Sequence, residues 1–216
     1  MVFNMILTAT WQTLYMVFWS TLFSIILGLP SGILAVITAP GHIYEHRNLN
    51  KILNFIINIL RSFPYIILMI ILLPLSRLIV GTTIGSTAAI VPLSISAAPF
   101  VARIVEGALN DVDKGLIEAS ESMGADNWTI IKKVMIPESM PALIHGLTVI
   151  VISLVSFSAM AGAIGGGGLG DLAIRFGYQR FKTDIMIYSV VVIIILVQII
   201  QTIGNYFSNR LKNQRG

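Results

Sequence analysis

Residues 118–137, EASESMGADNWTIIKKVMIP, decide how this chain folds, because they form a polar insert in an otherwise apolar sequence. Only 11% of the 216 residues are charged and 56% are hydrophobic, and the mean hydropathy is +0.86. A soluble domain usually carries about 25% charged residues. The charged residues of the insert are Glu118, Glu121, Asp126, Lys132 and Lys133. Most of the chain is therefore expected to face lipid, with this segment outside the bilayer.

Five apolar runs are long enough to cross the hydrocarbon core of a bilayer, which requires roughly 20 apolar residues. They lie at about 11–38, 53–76, 84–105, 140–163 and 185–208. The pattern predicts an all-α membrane protein of about five transmembrane helices, with residues 1–216 forming one domain. The first basic residue is Arg47, so the N-terminal run lacks the basic region of a signal peptide and is expected to remain as a span. Prolines predict kinks in or near the spans; they are Pro30, Pro64, Pro92 and Pro99.

Basic residues predict the orientation of the chain, since cytoplasmic loops carry an excess of Lys and Arg. With the N-terminus outside, nine basic residues lie inside: Arg47, Lys51, Arg103, Lys114, Lys132, Lys133, Arg210, Lys212 and Arg215. Four lie outside: Arg77, Arg175, Arg180 and Lys182. The expected topology is thus N-terminus outside and C-terminus cytoplasmic, which places the insert at 106–138 in the cytoplasm.

The insert is expected to form two short helices across the cytoplasmic ends of the spans, in a coupling segment at about 111–138. Asp111 and Asp113 suit a helix N-terminus, where the helix dipole favours acids. Gly124 favours a break between the two helices. Pro137 is expected to end the second helix.

Small and acidic side chains lie together in the first half of the insert. Ala119 and Ser120 are small, so another protein can approach closely, and Glu118 and Glu121 supply carboxylates beside them. This pattern favours a docking element that fits a groove on a second protein. The alternative is an interfacial helix resting on lipid, which would be richer in Lys and Arg. Acids outnumber bases between 111 and 126, which disfavours that alternative.

The insert resembles the "EAA" loop of permease subunits of ATP-binding-cassette importers. That pattern runs Glu-Ala-Ala, three residues, Gly, nine residues and Ile-x-Leu-Pro, and the spacing here is the same throughout. The departures are Ser120 for Ala, Val134 for Ile and Ile136 for Leu, all of similar size. The resemblance implies that a separate ATPase is coupled through Glu118, Ala119, Ser120, Gly124, Val134, Ile136 and Pro137.

Three further segments resemble the permeases of methionine importers: RSFPYIILMIILLP at 61–74, AAIVPLSISAAPFVARIVEGAL at 88–109 and SAMAGAIGGGGLGDL at 158–172. The resemblance implies a homodimer of subunits with the type I ABC importer permease fold, in a bacterial inner membrane. It implies two cytoplasmic ATP-binding subunits, which bind ATP and Mg, and an extracellular substrate-binding lipoprotein. The implied cargo is D- or L-methionine or a close analogue, and no cofactor is expected in this chain.

Several function classes are disfavoured. The chain has no phosphate-binding G-x-x-x-x-G-K-[ST] loop, so a partner must hydrolyse ATP and the chain is not expected to be an enzyme. Gly165, Gly167 and Gly170 satisfy G-x-G-x-x-G, but this motif follows a membrane span and not a strand, which favours a loop or re-entrant turn. Acidic residues avoid the middle of the predicted spans, which disfavours an ion-coupled carrier. The sequence has no Cys for a thiolate metal site and no basic stripe for nucleic acid.

Candidates for the translocation pathway lie in the fourth span or just after it: Ser156, Met160 and Gly162. Small residues equally favour close helix packing, whereas Met160 suits an apolar gate because a thioether is soft and adaptable. Arg61 is the one clear charge within a span, and it either extends to the interface or pairs with Glu106. Arg103 and Glu106 are also spaced to pair on one helix. Two rival functions stay open: import of another amino acid or a methionine-containing dipeptide, and a non-transporting membrane scaffold.

Overall fold

The computed structural model describes residues 2–213, and within that range the secondary structure is entirely helical. The helices are α1 (Val2–Ile37), α2 (Arg47–Ser62), α3 (Tyr65–Val80), α4 (Ser86–Asn110), α5 (Lys114–Ser122), α6 (Asn127–Ile130), α7 (Ile136–Ala163), α8 (Gly168–Asp171) and α9 (Thr183–Asn213). Two π-helical segments, Ile131–Met135 and Leu172–Tyr178, follow α6 and α8. Arg215, counted above among the basic residues, lies outside the described residues.

Four helical stretches are long and apolar enough to cross a membrane. They are α1, α4, the continuous stretch Asn127–Ala163 and α9. The pair formed by α2 and α3 supplies a fifth crossing if its two halves are taken together. The prediction of an all-α membrane protein with about five spans is therefore confirmed.

The second predicted span, at 53–76, is not one continuous helix. α2 and α3 meet at a bend of 107°, where Phe63 and Pro64 have extended backbone conformations with ψ of 131° and 129°. Proline disfavours the helical conformation of the residue before it, and it cannot donate an N–H to the helix. The kink expected at Pro64 is thus a complete break, whereas the other three prolines named above stay inside helices.

α1 and α4 form the central helix pair, and glycines let them approach closely. A Cβ at Gly28 would lie 2.5 Å from the carbonyl oxygen of Ala98, and one at Gly32 would lie 2.5 Å from that of Ala102. The two glycines form a G-x-x-x-G pattern, which permits close backbone contact between membrane helices. The buried core extends from this pair to α7; its larger side chains include Leu93, Val101, Val105, Leu109, Ile130, Met135 and Leu154.

The glycine-rich segment after α7 is tied to the start of α1 and of α4. The Gly85 N–H donates to the Gly165 carbonyl at 2.9 Å. The Gly168 N–H donates to Oε1 of Gln12, and the N–H of the next residue donates to Oγ1 of Thr13, each at 2.9 Å. Gly165 and Gly167 lie in a turn, as expected, with φ of +92° and +77°. Gly170 lies in the four-residue helix α8, and the second π-helical segment follows directly. The length of α7 separates this glycine-rich segment from the polar insert.

Candidate functional site

The polar insert begins with α5, whose first turn is capped by Asp113. The Asp113 carboxylate accepts a hydrogen bond from the Gly115 N–H at 2.7 Å, which confirms the prediction of a helix N-terminus there. Asp111 instead lies at the C-terminus of α4, so the expectation that it starts a helix is wrong. α5 has nine residues, none of them buried, and a helix this short depends on its caps.

A turn at Gly124 separates α5 from α6. Gly124 has φ of +80°, and its N–H donates to the Glu121 carbonyl at 2.9 Å. Glycine is preferred there because L side chains disfavour positive φ; a Cβ would meet nothing within 4 Å. Asp126 then caps α6, accepting from the Thr129 hydroxyl at 2.5 Å and from its N–H at 3.4 Å. The hydroxyl hydrogen bond, with a smaller contribution from the N–H, lowers the pKa of Asp126. The predicted break at Gly124 is confirmed.

The second half of the insert is not a separate short helix. From Asn127 the helix continues through the π-helical segment into α7 and ends at Ala163. The prediction that Pro137 ends this helix is wrong. Pro137 lies in the first turn of α7, directly after the wider π-helical turn, and such a turn can accommodate a residue that lacks an N–H. The insert is therefore one short helix, joined by a turn to an extension of the fourth span.

α5, the turn after it and the start of α6 expose both apolar and acidic side chains. Met123 is 88% exposed and Trp128 is 67% exposed. Large apolar side chains left exposed beside carboxylates are typical of a surface that binds another protein. We call this set the docking surface: Leu116, Glu118, Ala119, Met123 and Trp128, all exposed.

The other predicted coupling residues are less exposed. Ser120 is half-buried on α5, where its hydroxyl donates to the Leu116 carbonyl at 2.7 Å. Residues 129–137 form what we call the stem, and within it Val134, Ile136 and Pro137 are half-buried. Three further stem residues belong to the buried core: Ile130, Ile131 and Met135. The stem is thus anchored in the protein, while the docking surface is not.

The predicted pathway residues separate into two groups on α7. Ser156 and Met160 are exposed one helical turn apart, and His145 and Val149 extend the same exposed face along the helix. Gly162 is buried, and a Cβ there would lie 2.3 Å from the backbone nitrogen of Asp171. The expectation that Gly162 lines the pathway is therefore corrected, because its position is required for close packing against α8.

Arg61 lies at the end of α2, beside the break in the second span. Its side chain is exposed, and its guanidinium carbon lies 5.2 Å from the centroid of the Phe100 ring. Glu106 forms its ion pair with Arg103. The predicted pairing of these two residues on one helix is confirmed, and the alternative pairing of Glu106 with Arg61 is excluded. Arg103 also donates to Oδ1 of Asn58 at 2.7 Å, so this network ties α2 to α4.

Sequence reasoning missed two sets of residues that position these surfaces. The G-x-x-x-G pattern of Gly28 and Gly32 is readable in the sequence. Gln12 and Thr13 have no local signal, because the N–H groups that they bind are 156 residues away. Within residues 2–213, no group of three or more His, Cys, Asp or Glu side chains is placed to hold a metal ion.

Comparison with known proteins adds four similarities. Residues 31–213 match the family model described as "Binding-protein-dependent transport system inner membrane component". The chain is 51% identical over 206 residues, 95% of each chain, to the probable D-methionine transport system permease protein MetI of Pasteurella multocida. It is 49% identical over 201 residues, 93% of this chain and 90% of the relative, to the methionine import system permease protein MetP of Bacillus subtilis. A solved structure of the MetNI methionine ABC transporter, in an inward-facing conformation, superposes with a TM-score of 0.95 at 43% identity, covering 97% of each chain.

Proposed function

Since the chain belongs to the family of binding-protein-dependent transport system inner membrane components, we propose that it is the permease subunit of an ATP-driven methionine importer. It is a multi-pass membrane protein and a transport subunit, not an enzyme. The observation that carries the cargo assignment is the near-complete match, in sequence and in fold, to permeases named for methionine transport. The proposed cargo is D- or L-methionine or a close analogue.

The proposed assembly is a homodimer of this chain with two ATP-binding subunits on the cytoplasmic side. Those subunits bind the ATP and Mg, because this sequence has no phosphate-binding loop of its own. An extracellular lipoprotein is proposed to deliver the cargo, on the grounds of the sequence resemblance. The excess of Lys and Arg on one side supports the orientation with the N-terminus outside and the docking surface in the cytoplasm.

The docking surface is proposed to bind the ATPase. Its exposed carboxylate and apolar side chains fit a groove that has both a polar and an apolar wall. In this account Glu118 supplies the charge, Ala119 and Ser120 allow close approach, and Gly124 forms the turn that presents α5. Val134, Ile136 and Pro137 belong to the stem that connects α5 to the membrane.

Coupling is proposed to run through the stem, because the stem and α7 are one continuous helix. When the ATPases close on ATP, they move α5, and the anchored stem transfers that displacement to α7. The exposed face of α7, with Ser156 and Met160, is proposed to line the pathway whose access then alternates. By thermodynamic linkage, this mechanism requires the ATP-bound partner to prefer one conformation of the permease.

The test is methionine uptake by proteoliposomes that contain this chain, the ATPase of its own operon and the binding lipoprotein. We expect uptake of labelled methionine that requires ATP loaded into the lumen, on the same side as the ATPases. Excess unlabelled methionine should abolish this uptake. Uptake of another labelled amino acid or of a labelled methionine-containing dipeptide, without uptake of methionine, would assign the cargo to that compound. Assembly with the ATPase but no uptake of any of these probes would favour the scaffold.

A further inference from the structure

A cavity of about 430 Å³ lies between the first turns of α1, α8 and the second π-helical segment. Its lining includes one acid and one base, Asp171 and Arg175. The hydrogen bonds from the N–H groups of α8 to Gln12 and Thr13 hold α1 against this part of the chain. Since α7 separates the glycine-rich segment from the polar insert, the cavity lies at the end of the helix bundle opposite the docking surface.

Charged and aromatic side chains place the cavity at the level of the lipid headgroups. Residues 171–184 carry five charges, Asp171, Arg175, Arg180, Lys182 and Asp184, and the apolar run of the last span begins directly after them, at 185. Trp11 and Tyr178, 71% and 73% exposed, lie next to this region on α1 and at the end of the π-helical segment. Exposed Trp, Tyr and basic side chains are typical of the boundary between the bilayer and water.

Three polar side chains of α1 line the cavity in a row. Asn4, Thr8 and Gln12 are spaced four residues apart, so they share one face of the helix. Within residues 2–213, the side chains of Asn4 and Thr8 form no hydrogen bond, and Gln12 uses only Oε1, which accepts from the Gly168 N–H. The remaining amide and hydroxyl groups are available to a polar ligand.

The charges of the cavity suit a ligand that carries both signs. Nη2 of Arg175 lies 2.6 Å from Oδ2 of Asp171, and this is the one hydrogen bond of the Asp171 side chain in the described part of the protein. Oδ1 can therefore accept from an ammonium group. The Arg175 side chain is 55% exposed, so the rest of its planar fork can bind a phosphate or carboxylate. A ligand with a negative charge alone would lie beside the Asp171 carboxylate without pairing it.

An apolar groove of about 480 Å³ adjoins the cavity at Thr8 and follows α1 toward the middle of the bilayer. Its other lining residues are Leu7, Thr10, Trp11 and Leu14. A hydrocarbon chain fits such a groove, whereas a free amino acid is too short to use it. The ligand that matches both parts is a phospholipid, with its headgroup in the cavity and an acyl chain in the groove.

We propose that the cavity binds the headgroup of an aminophospholipid, a lipid with a primary ammonium and a phosphodiester, from the leaflet opposite the docking surface. The ammonium donates to Asp171, the phosphodiester accepts from Arg175, and Asn4 and Thr8 hydrogen-bond the remaining oxygens. One acyl chain lies along Trp11. The bound lipid joins α1 to the π-helical segment, and this inference does not depend on the cargo.

The test is native mass spectrometry of the full chain, purified in mild detergent and titrated with phosphatidylethanolamine, phosphatidylcholine or phosphatidylglycerol that carry the same acyl chains. Phosphatidylethanolamine should bind about tenfold more tightly than the other two, because choline has no N–H to donate to Asp171 and glycerol has no positive charge. Asp171→Asn and Arg175→Gln should each weaken its binding by about ten- to hundredfold. Phosphatidylethanolamine should also raise the unfolding temperature of the wild type.

Thr8→Trp keeps the test independent of the ion pair, since it fills the cavity from an exposed position without removing a hydrogen bond. It should abolish the preference for phosphatidylethanolamine and the rise in unfolding temperature. Phe3→Trp is the matched control, because Phe3 is 74% exposed on the same helix and does not line the cavity; it should bind like the wild type. Equal binding of the three lipids, or a preference that Thr8→Trp leaves intact, would overturn the proposal. Binding of free methionine that Thr8→Trp abolishes and phosphatidylethanolamine does not displace would assign the cavity to a free amino acid instead.

Discussion

Replacing Gly28 by Ala tests whether the close contact between α1 and α4 holds the transmembrane core together. A Cβ at this position would lie 2.5 Å from the Ala98 carbonyl oxygen and 2.6 Å from Cβ of Val101. Ordinary contacts of a Cβ begin at 3.4 Å. Because the closest atom is backbone and not a flexible side-chain end, the two helices must move apart to accept the methyl group.

The magnitude follows from two opposing effects. Overpacking of a close-packed core costs about 1–3 kcal/mol, and the rigid backbone partner puts this site in the upper half of that range. Alanine gains about 0.5–1 kcal/mol over glycine in a helix. We therefore expect Gly28→Ala to lower the free energy of unfolding by a net amount of about 1–2.5 kcal/mol.

Gly107→Ala is the matched control, because it adds the same methyl group to α4, the helix that Gly28 packs against. Gly107 lies in α4, and a Cβ there would meet nothing within 4 Å. Only the helix gain applies, so this variant should be more stable than wild type by about 0.5–1 kcal/mol. The assay is unfolding by SDS in mild-detergent micelles, followed by tryptophan fluorescence. If Gly28→Ala is as stable as Gly107→Ala, the contact between the two helices is not close in the folded protein, and the reasoning fails.

Four further predictions concern the insert and the glycine-rich segment. Glu118→Lys should insert normally but reduce the yield of co-purified ATPase by about tenfold, since a reversed charge at an interface costs several kcal/mol; an unchanged yield would count against the docking surface. Gly124 and Gly81 have φ of +80° and +85°, and an added Cβ would meet no atom within 4 Å at either position. Gly124→Ala and Gly81→Ala should therefore each lower the stability by about 1 kcal/mol through the same backbone strain. Only Gly124→Ala should also lower the yield of co-purified ATPase. Asp126→Cys, in a chain without other cysteines, should react with an impermeant maleimide only after the cells are opened; labelling of intact cells would reverse the orientation. Thr13→Val should destabilise the protein by about 1–3 kcal/mol in thermal unfolding, because it leaves the buried Leu169 N–H without its acceptor, whereas Thr10→Val, whose hydroxyl only donates to the Ile6 carbonyl, should have a smaller effect.

Much of the architecture is readable from the residues one by one. The number of spans follows from apolar runs of membrane length, since each side chain contributes its own transfer free energy. The turn at Gly124 is predictable because positive φ is a property of a single residue. The helix start at Asp113 is predictable because its carboxylate acts on an N–H two residues away.

Proline shows where this local reasoning stops. Pro64 breaks the second span, while Pro137 lies inside a continuous helix. The residue type is the same, but the outcome depends on whether neighbouring structure compensates for the missing hydrogen bond. At Pro137 a π-helical turn precedes the proline, and Ile130, Ile131 and Met135 anchor the stem in the core. At Pro64 the residues just before it are exposed, and nothing in the local sequence distinguishes the two cases.

The amino-acid sequence alone therefore determined that this is a helical membrane protein with a polar insert, because hydropathy and glycine conformation act over a few residues. Tertiary structure alone decided that Gly162 packs while Met160 is exposed, and that Arg61 lies beside Phe100. Those outcomes depend on segments that are far apart in the chain, such as Gly28 against Ala98. Close contact between such segments is set by the shape of both partners, and a local pattern contains only one of them.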